Sequence, residues 1–326
     1  MHSSHLSYLI ALCVLCHSRI LRPTVFSVFK TQIAGLRPKN DRSCESRNGT
    51  TAHIDTFIHS CSHSPPVSSF LLSIMALNFP LRQKFAAQAR AAGAWLTLPS
   101  TAIARTIALT KGVSWVLIDA EHGLITDHHF FDLTNIISAS GASPLIRIPA
   151  DEPWMIKRAL DSGAHGIMIP MANSPEIVRK VVEATKYPPA GIRGYGPMFT
   201  HAAGALNATY KAAANDNIIV AVQIEHPDAV EKIEEIVKEG IDATFIGPYD
   251  LAVSMGVEVG GPEHSAAVAK ILDATKKAGK IAGIFCLTGE QAEKRFAEGF
   301  DMVSVTTDID TLYDGFAAAL GKVSKL

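Results

Sequence analysis

The amino-acid sequence predicts an α/β fold, a (β/α)8 barrel, on three observations. Residues 75–326 match the length of about 250 residues that such a barrel needs. Short apolar runs alternate with amphipathic stretches along this segment, which is typical of parallel strands joined by right-handed helical crossovers. The runs are almost wholly apolar, as expected for strands that are buried on both faces.

The apolar runs give eight strands in chain order. We place them at residues 94–98, 115–119, 144–148, 166–170, 218–224, 243–246, 281–285 and 302–305, with helical patterns between them, for example at 153–161, 175–186, 227–239 and 263–278. Residues 187–217 form an unusually long connection, and long loops inside compact domains commonly carry function. A doubly wound open sheet is the alternative, but it usually has a glycine-rich loop after its first strand, where this chain has Pro99, Ser100 and Thr101.

The composition excludes two classes of partner. The chain has 30 Lys and Arg against 31 Asp and Glu, a formal net charge of −1, so it lacks the basic excess of a nucleic-acid-binding protein. No apolar run approaches the roughly 20 residues that span a bilayer. With 48% hydrophobic residues, the chain is typical of a globular protein with a large core.

The first 74 residues differ from the rest, since they hold four of the five cysteines and show no sustained periodicity. We expect them to lack stable structure, and three interpretations compete. A secretory signal would use residues 8–16, but no Lys or Arg precedes this apolar region. A mitochondrial presequence agrees with several basic residues and no acid before Asp41. We favour a spurious upstream extension, with Met75 as the start of a cytoplasmic protein, and keep a mitochondrial location as the alternative.

Charged and amide side chains stand where the predicted strands end, and barrels of this kind carry their chemistry at the carboxyl ends of the strands. Four strands contribute such residues, in chain order Asp119, Glu121, His122, Arg147, Gln223, Glu225 and Asp250.

A buried guanidinium is costly unless an anion meets it, so Arg147 is informative. An internal ion pair with Asp119 or Glu225 is the simpler explanation of this residue. Glu225 and Asp250 are hard oxygen ligands that together neutralise one divalent ion, and Mg²⁺ is the ion we expect, with Mn²⁺ or Co²⁺ as alternatives. Lysine is absent from every predicted strand end, so a Schiff-base mechanism is excluded. If the barrel makes or breaks carbon–carbon bonds, the metal must stabilise the enolate.

Several ordered motifs resemble those of the HpcH/HpaI family of hydroxy-oxo-acid aldolases. They are IDAEHG, RIP followed by DEPWMIKRALDSGAHGIMIPM, YPPAGIRGYGP, VQIEH and FIGPYDLA. The family includes 4-hydroxy-2-oxoheptanedioate aldolase and 2-dehydro-3-deoxyglucarate aldolase, and RGYGPM also looks like macrophomate synthase. The resemblance covers nearly all of residues 75–326 and none of the first 74.

The resemblance implies a TIM barrel of the phosphoenolpyruvate/pyruvate type and a metal-dependent lyase. The implied reaction is cleavage of a 4-hydroxy-2-oxo acid to pyruvate and an aldehyde through a pyruvate enolate. Glu225 and Asp250 would hold the divalent metal, and Arg147 would stabilise the enolate. Gln223 and the backbone at Tyr249 and Asp250 would contact the oxo acid.

The resemblance also implies a proton-transfer pair. His122 would be the general base, acting through a water on the metal, and Asp161 would raise its basicity. Asp119 would orient neighbouring groups. Because Asp161 ends a helix away from the carboxyl face of a simple barrel, we expect a neighbouring subunit or irregular packing to bring it near His122. We therefore expect a homo-oligomer, a hexamer or a dimer-based assembly.

Two departures from the family pattern concern the aldehyde. Many relatives have a small residue where Tyr249 stands, and a phenol there narrows the aldehyde pocket. Residues 199–211 lack the arginines that some relatives carry, so an aldehyde with a distal carboxylate is less well supported than pyruvate as donor. Oxaloacetate decarboxylation and macrophomate-type chemistry remain alternatives within the enzyme class. A catalytically silent barrel used for binding or assembly is the alternative outside it.

Overall fold

The computed structural model describes residues 77, 79–200 and 207–323 of the chain. Eight parallel strands close into a barrel in the order of the sequence, with β1 hydrogen-bonded to β8. The predicted (β/α)8 fold is therefore confirmed. The predictions for residues 1–74 lie outside the described residues.

The strands are β1 Ala91–Leu96, β2 Val113–Asp119, β3 Ser143–Arg147, β4 Gly166–Ile169, β5 Ile219–Ile224, β6 Ala243–Ile246, β7 Ile281–Ile284 and β8 Met302–Thr307. The helices are α1 Pro80–Ala86, α2 Thr101–Leu109, α3 Asp127–Ala139, α4 Pro153–Asp161, α5 Pro175–Thr185, α6 Asn207–Asn217, α7 Pro227–Glu231, α8 Ile233–Ile236, α9 Pro248–Met255, α10 Pro262–Lys277, α11 Gly289–Glu298 and α12 Asp308–Leu320. Within the described ranges, no helix is both long and apolar enough to cross a membrane.

Two of the predicted segments differ from the structure. The helix expected at 227–239 is two short helices, α7 and α8, which meet at Lys232. The connection expected at 187–217 ends in a helix, α6, rather than continuing as a loop. The Ala-rich sequence of α6 disguised it, because Tyr210 is its one large apolar side chain that packs in the core.

The core has two parts, one inside the barrel and one between the barrel and the surrounding helices. Trp115 of β2 and Phe245 of β6 fill the barrel interior with their rings edge to face. Gly93 of β1 makes room for them, since a Cβ at this position would stand 2.1 Å from Trp115 Cδ2. Layers of large side chains of this kind make the barrel a packed core and not a pore.

Helix α1 closes the amino end of the barrel. Leu81 and Phe85 on this helix are buried in the interior cluster. Arg82 donates to Asp242 Oδ1 at 2.7 Å and to the Ile218 carbonyl at 2.8 Å, and both partners immediately precede a strand. The carboxyl ends of the strands therefore form the mouth where a ligand can enter.

Candidate active site

The site begins with an ion pair between the last residues of two neighbouring strands. Asp119 of β2 and Arg147 of β3 face each other in the parallel register. Arg147 Nε donates to Asp119 Oδ1 at 2.9 Å, and Nη2 donates to Oδ2 at 2.6 Å. Both side chains are buried, so this two-point geometry meets the cost of burying the guanidinium. The internal ion pair considered for Arg147 exists, and its partner is Asp119.

Asp119 also fixes the segment that follows β2. Its Oδ1 accepts the backbone N–H groups of Glu121 at 3.1 Å and His122 at 3.3 Å, and its Oδ2 accepts Trp95 Nε1 at 3.1 Å. Burial alone would raise the pKa of Asp119, but the hydrogen bonds and charge of Arg147 lower it below its ordinary value. Asp119 is therefore an ionised anchor for this segment, and its orienting role in the reaction stays a prediction.

Glu121 joins this cluster, although we assigned it no role from the sequence. Its Oε2 lies 2.9 Å from Arg147 Nη1 and forms an ion pair with it, but the angle between the two groups does not allow a hydrogen bond. Burial raises the pKa of Glu121, and the positive charge of Arg147 opposes this rise. Glu121 was already among the predicted strand-end residues, and its place two residues after Asp119 was the signal for a shared partner, because alternate residues near a strand end point to the same side.

Gln223 connects the arginine to the first predicted metal ligand. Its Oε1 accepts from Arg147 Nη1 at 3.2 Å, and its Nε2 donates to Glu225 Oε2 at 2.9 Å. The other carboxylate oxygen of Glu225 accepts the backbone N–H of Met171 at 2.7 Å. Met171 adopts a left-handed backbone conformation with φ of 49°, which is uncommon for this residue type and costs energy. The strained turn thus orients the Glu225 carboxylate.

Glu225 is placed where its negative charge is unfavourable. Burial, together with the negative charges of Asp250 and Glu121, raises its pKa to about 7. The Met171 N–H and the charge of Arg147 act in the opposite direction. The acids at this end of the barrel outnumber the one guanidinium, and a divalent cation would relieve this excess of negative charge.

Asp250, in the first turn of α9, converges on the same point as Glu225. A Cβ on Gly247 would stand 2.6 Å from Glu225 Oε2, 3.4 Å from Asp250 Oδ2 and 3.4 Å from Gln223 Nε2. Glycine at this position therefore leaves a space that two carboxylates border. The donor set of hard oxygens fits Mg²⁺ or Mn²⁺. The described part of the chain contains no group of three or more His, Cys, Asp or Glu arranged for a metal, and the predicted site uses only two.

A buried histidine supports the turn that carries Asp250, and no sequence pattern pointed to it. His264 on α10 is 1% exposed. Its Nδ1 accepts the Gly260 N–H at 3.1 Å, so its Nε2 carries the proton and donates to the Pro248 carbonyl at 2.8 Å. The ring is thereby fixed as one neutral tautomer that holds the start of α9.

The two residues of the expected proton-transfer pair, His122 and Asp161, contact different partners in the structure. His122 lies at the rim, with its side chain 68% exposed and its Nε2 3.9 Å from Glu121 Oε1. Asp161, at the end of α4, accepts from Arg193 Nη2 at 2.7 Å. Arg193 in turn donates to Tyr210 Oη at 3.1 Å. Among the described residues of one chain, Asp161 has no contact with His122, so its role stays a prediction.

A closed parallel barrel with a charged cluster at its carboxyl end is the arrangement of barrel enzymes, whose catalytic residues lie at that end. The family model described as HpcH/HpaI aldolase/citrate lyase matches residues 91–314. The chain belongs to this family, so the resemblance found in the sequence is confirmed. It is an enzyme of the aldolase class, a carbon–carbon lyase.

Curated relatives and solved structures agree with this placement. The chain is 38% identical over 223 residues to the hydroxypyruvate/pyruvate aldolase of Agrobacterium fabrum, covering 67% of this chain and 83% of the relative. It is 37% identical over 221 residues to the 2-keto-3-deoxy-L-rhamnonate aldolase of Salmonella gallinarum, covering 66% and 82% of the two chains.

Two solved structures show the same likeness in three dimensions. A HpcH/HpaI aldolase/citrate lyase family protein of Burkholderia cenocepacia superposes with a TM-score of 0.71 at 32% identity, covering 75% of this chain and 99% of that chain. Macrophomate synthase superposes with a TM-score of 0.66 at 25% identity, covering 74% and 89%.

Proposed function

We propose that the protein is a divalent-metal-dependent aldolase that cleaves 4-hydroxy-2-oxo acids to pyruvate and an aldehyde through a pyruvate enolate. The observation that carries the proposal is the convergence of Glu225 and Asp250 on the space beside Gly247, one Gln223 side chain away from Arg147. Anionic intermediates need positive charge close by, and this mouth offers a guanidinium and two oxygen ligands for a cation. The names of the aldolase relatives support an oxo acid as the substrate.

A divalent ion held by Glu225 and Asp250 would supply Lewis-acid stabilisation of the enolate oxygen. The side chains of the protein perform the remaining tasks. His122 removes the proton of the C4 hydroxyl, the C3–C4 bond breaks, and its electron pair enters the C2–C3 enolate. Arg147, held in place by Asp119, stabilises the developing charge on the C2 oxygen. His122 then returns this proton to C3, which gives pyruvate, and the former C4 leaves as the aldehyde carbon.

A coupled assay with lactate dehydrogenase tests the proposal. The purified protein is offered a panel of 4-hydroxy-2-oxo acids, and pyruvate release is followed through oxidation of the reduced nicotinamide. We expect chelation to abolish release and Mg²⁺, Mn²⁺ or Co²⁺ to restore it. Glu225→Gln should stay inactive after metal is added, whereas Glu231→Gln, at an exposed glutamate of α7, should respond as the wild type does. Full activity of the chelated protein would refute metal dependence.

Decarboxylation of oxaloacetate, or macrophomate-type use of the same enolate, is the second candidate. The likeness to macrophomate synthase favours it. Both reactions use the same cluster around Arg147 and Glu225, so the contacts do not separate them. Oxaloacetate in the same coupled assay separates them by rate. A barrel without activity on every oxo acid in the panel would instead support a role in binding or assembly.

We also propose that the chain forms a homo-oligomer, a hexamer or a dimer-based assembly. Helix α12 supports this, because Asp308 is its one buried residue while large apolar side chains lie exposed, namely Ile309, Leu312, Tyr313, Phe316 and Leu320. Apolar surface of this kind is typical of an interface. The double variant Leu312→Asp/Phe316→Asp should reduce the mass measured by light scattering after size-exclusion chromatography. Lys322→Asp, beyond the apolar residues, is the matched control.

The oligomer gives the predicted role of Asp161 a direct test. If a second copy brings Asp161 to His122, the two residues that act together come from different chains. His122→Ala and Asp161→Asn proteins, each inactive alone, should then regain part of the activity when their chains are unfolded and refolded together. A mixture as inactive as its components would contradict the pairing between copies.

A further inference from the structure

The mouth of the barrel has two chemically different halves. Its charged half comes from β2, β3, β5 and the first turn of α9, and ends in the carboxylate of Asp250. Its other half is aromatic and consists of Trp95 of β1, Phe285 at the end of β7 and Tyr249 at the start of α9. We call these three side chains the aromatic wall.

The rings of the aromatic wall contact one another in sequence from the interior to the rim. Trp95 is 4% exposed, and the guanidinium carbon of Arg147 lies over its ring, 5.2 Å from the ring centroid. Phe285 meets Trp95 edge to face at 5.0 Å between ring centroids. Tyr249 meets Phe285 edge to face at 6.3 Å, and 40% of Tyr249 is exposed. The wall therefore runs from the predicted oxo-acid end of the mouth to solvent.

The charges in the mouth limit what can lie against this wall. The groups that act on Glu225 are the acids Asp250 and Glu121 and the cation Arg147. Arg147 binds Asp119 through Nε and Nη2 and Gln223 through Nη1, so this cation serves the charged half of the mouth, where the oxo-acid head binds. A substrate with a carboxylate at its far end would place that charge against the rings of the wall and next to the Asp250 carboxylate, which is unfavourable.

Resting on the proposed function, we infer that the Tyr249 side chain determines the aldehyde, and that it favours short, uncharged aldehydes with an apolar chain. The oxo-acid head binds in the charged half near Arg147. The carbon chain beyond C4 then extends along the aromatic wall to the rim, where the Tyr249 ring covers it. This role belongs to the ring itself and is separate from the backbone contact expected at Tyr249.

The phenol ring offers apolar contact that a small residue cannot replace. One methylene group more or less against an apolar pocket changes kcat/KM by at least about tenfold. Removing the ring should therefore change the ranking of aldehydes, and removing only the hydroxyl should not. Tyr249→Ala and Tyr249→Phe separate the two contributions. Val253→Ala, at an exposed residue one turn further along α9, is the control for general disturbance of the helix.

The experiment measures aldol addition of pyruvate to butanal, glycolaldehyde and succinic semialdehyde, with the full chain and saturating Mg²⁺. The quantity compared is the ratio of kcat/KM for butanal to that for each other aldehyde within one variant, so a general loss of activity cancels. We expect the wild type, Tyr249→Phe and Val253→Ala to favour butanal over succinic semialdehyde by about tenfold or more. Tyr249→Ala should lose most of this preference.

Exchange of the pyruvate C3 protons with deuterium, followed by proton NMR, separates this inference from the proposed function. Exchange needs the enolate but no aldehyde. If the wild type neither exchanges nor adds pyruvate to any aldehyde, the proposed function fails and the inference fails with it. If exchange proceeds and Tyr249→Ala keeps the wild-type ratios, or the wild type favours succinic semialdehyde, the inference alone is overturned.

Discussion

Glu225 should make the metal-free protein less stable as the pH rises. In the folded chain, burial raises the pKa of Glu225 to about 7 from an ordinary 4.5, so between these two pH values the folded state holds a proton that the unfolded state has released. Stability is then fully present below pH 4.5 and falls as the pH rises through 7. Each pH unit in this window removes about 1.4 kcal/mol, giving about 3 kcal/mol in total.

The assay is urea unfolding of metal-free protein, followed by tryptophan fluorescence at pH values from 5 to about 8. Glu225→Gln cannot titrate, so its unfolding free energy should lack the slope that Glu225 adds, and it should exceed that of the wild type at the upper end of the range. Glu231→Gln should keep the wild-type slope. Mg²⁺ should stabilise the wild type most where Glu225 is ionised, and should stabilise Glu225→Gln little. Equal slopes in the wild type and Glu225→Gln would refute the reasoning.

Four further predictions follow from the same contacts. Arg147→Lys keeps a positive charge but loses the planar fork, so the variant should fold, as judged by circular dichroism, and lose ~10²–10³ in kcat for cleavage and decarboxylation alike; near-normal rates would leave Arg147 a structural ion-pair partner. His122→Ala should lose ~10²–10⁴ in aldol cleavage but much less in oxaloacetate decarboxylation, which removes no hydroxyl proton; equal loss in both assays would exclude the histidine as the base. A chain that begins at Met75 should be soluble and active in the coupled assay, whereas Phe79→Ala, at a fully buried ring, should lose ~3–5 kcal/mol of unfolding free energy. Loss of activity in the shorter chain would count against a spurious extension, and so would import of the full-length chain into mitochondria when it is expressed in cells. His264→Ala should weaken Mn²⁺ binding by about 10- to 100-fold in isothermal titration calorimetry, because the histidine side chain supports the turn that carries Asp250, the second predicted metal ligand. Unchanged affinity would limit the histidine to a packing role.

The strands could be predicted closely because each is a short, almost wholly apolar run, and such a run has few alternatives inside an alternating pattern. The first strand starts three residues before its predicted position, since Ala91 and Gly93 carry little apolar signal themselves. Helix α1 was not predicted at all. Its seven residues are too few to show a period, and its burial depends on a barrel that forms from distant parts of the chain.

The site was predictable to the extent that its residues stand at strand ends. Side chains from β2, β3 and β5 meet because all the parallel strands of a closed barrel end at the same edge, and these side chains are Asp119, Arg147, Gln223 and Glu225. The contacts that hold these side chains in place could not be predicted from strand ends. Met171 contributes its backbone N–H and not its side chain, so no residue type at that position announces the contact.

The partners of Asp161 show a different limit of sequence reasoning. Arg193 lies 32 positions further along the chain, in the connection after α5, and nothing local links it to the end of α4. Burial raises the pKa of Asp161 while the hydrogen bond and charge of Arg193 oppose the rise. A role at a second copy's histidine depends on surfaces of two chains, which no pattern in one sequence describes.

The closed amino end of the barrel has a kinetic consequence. Because Leu81 and Phe85 fill that end, the substrate of the proposed reaction would reach Arg147 from the mouth, with its oxo-acid head entering first. After cleavage, the aldehyde would lie between pyruvate and solvent, so it would depart first and pyruvate second. Such an ordered release makes pyruvate a competitive inhibitor against the oxo acid, and the aldehyde a noncompetitive one. The enzyme would then slow as pyruvate accumulates, even while its aldehyde product is removed.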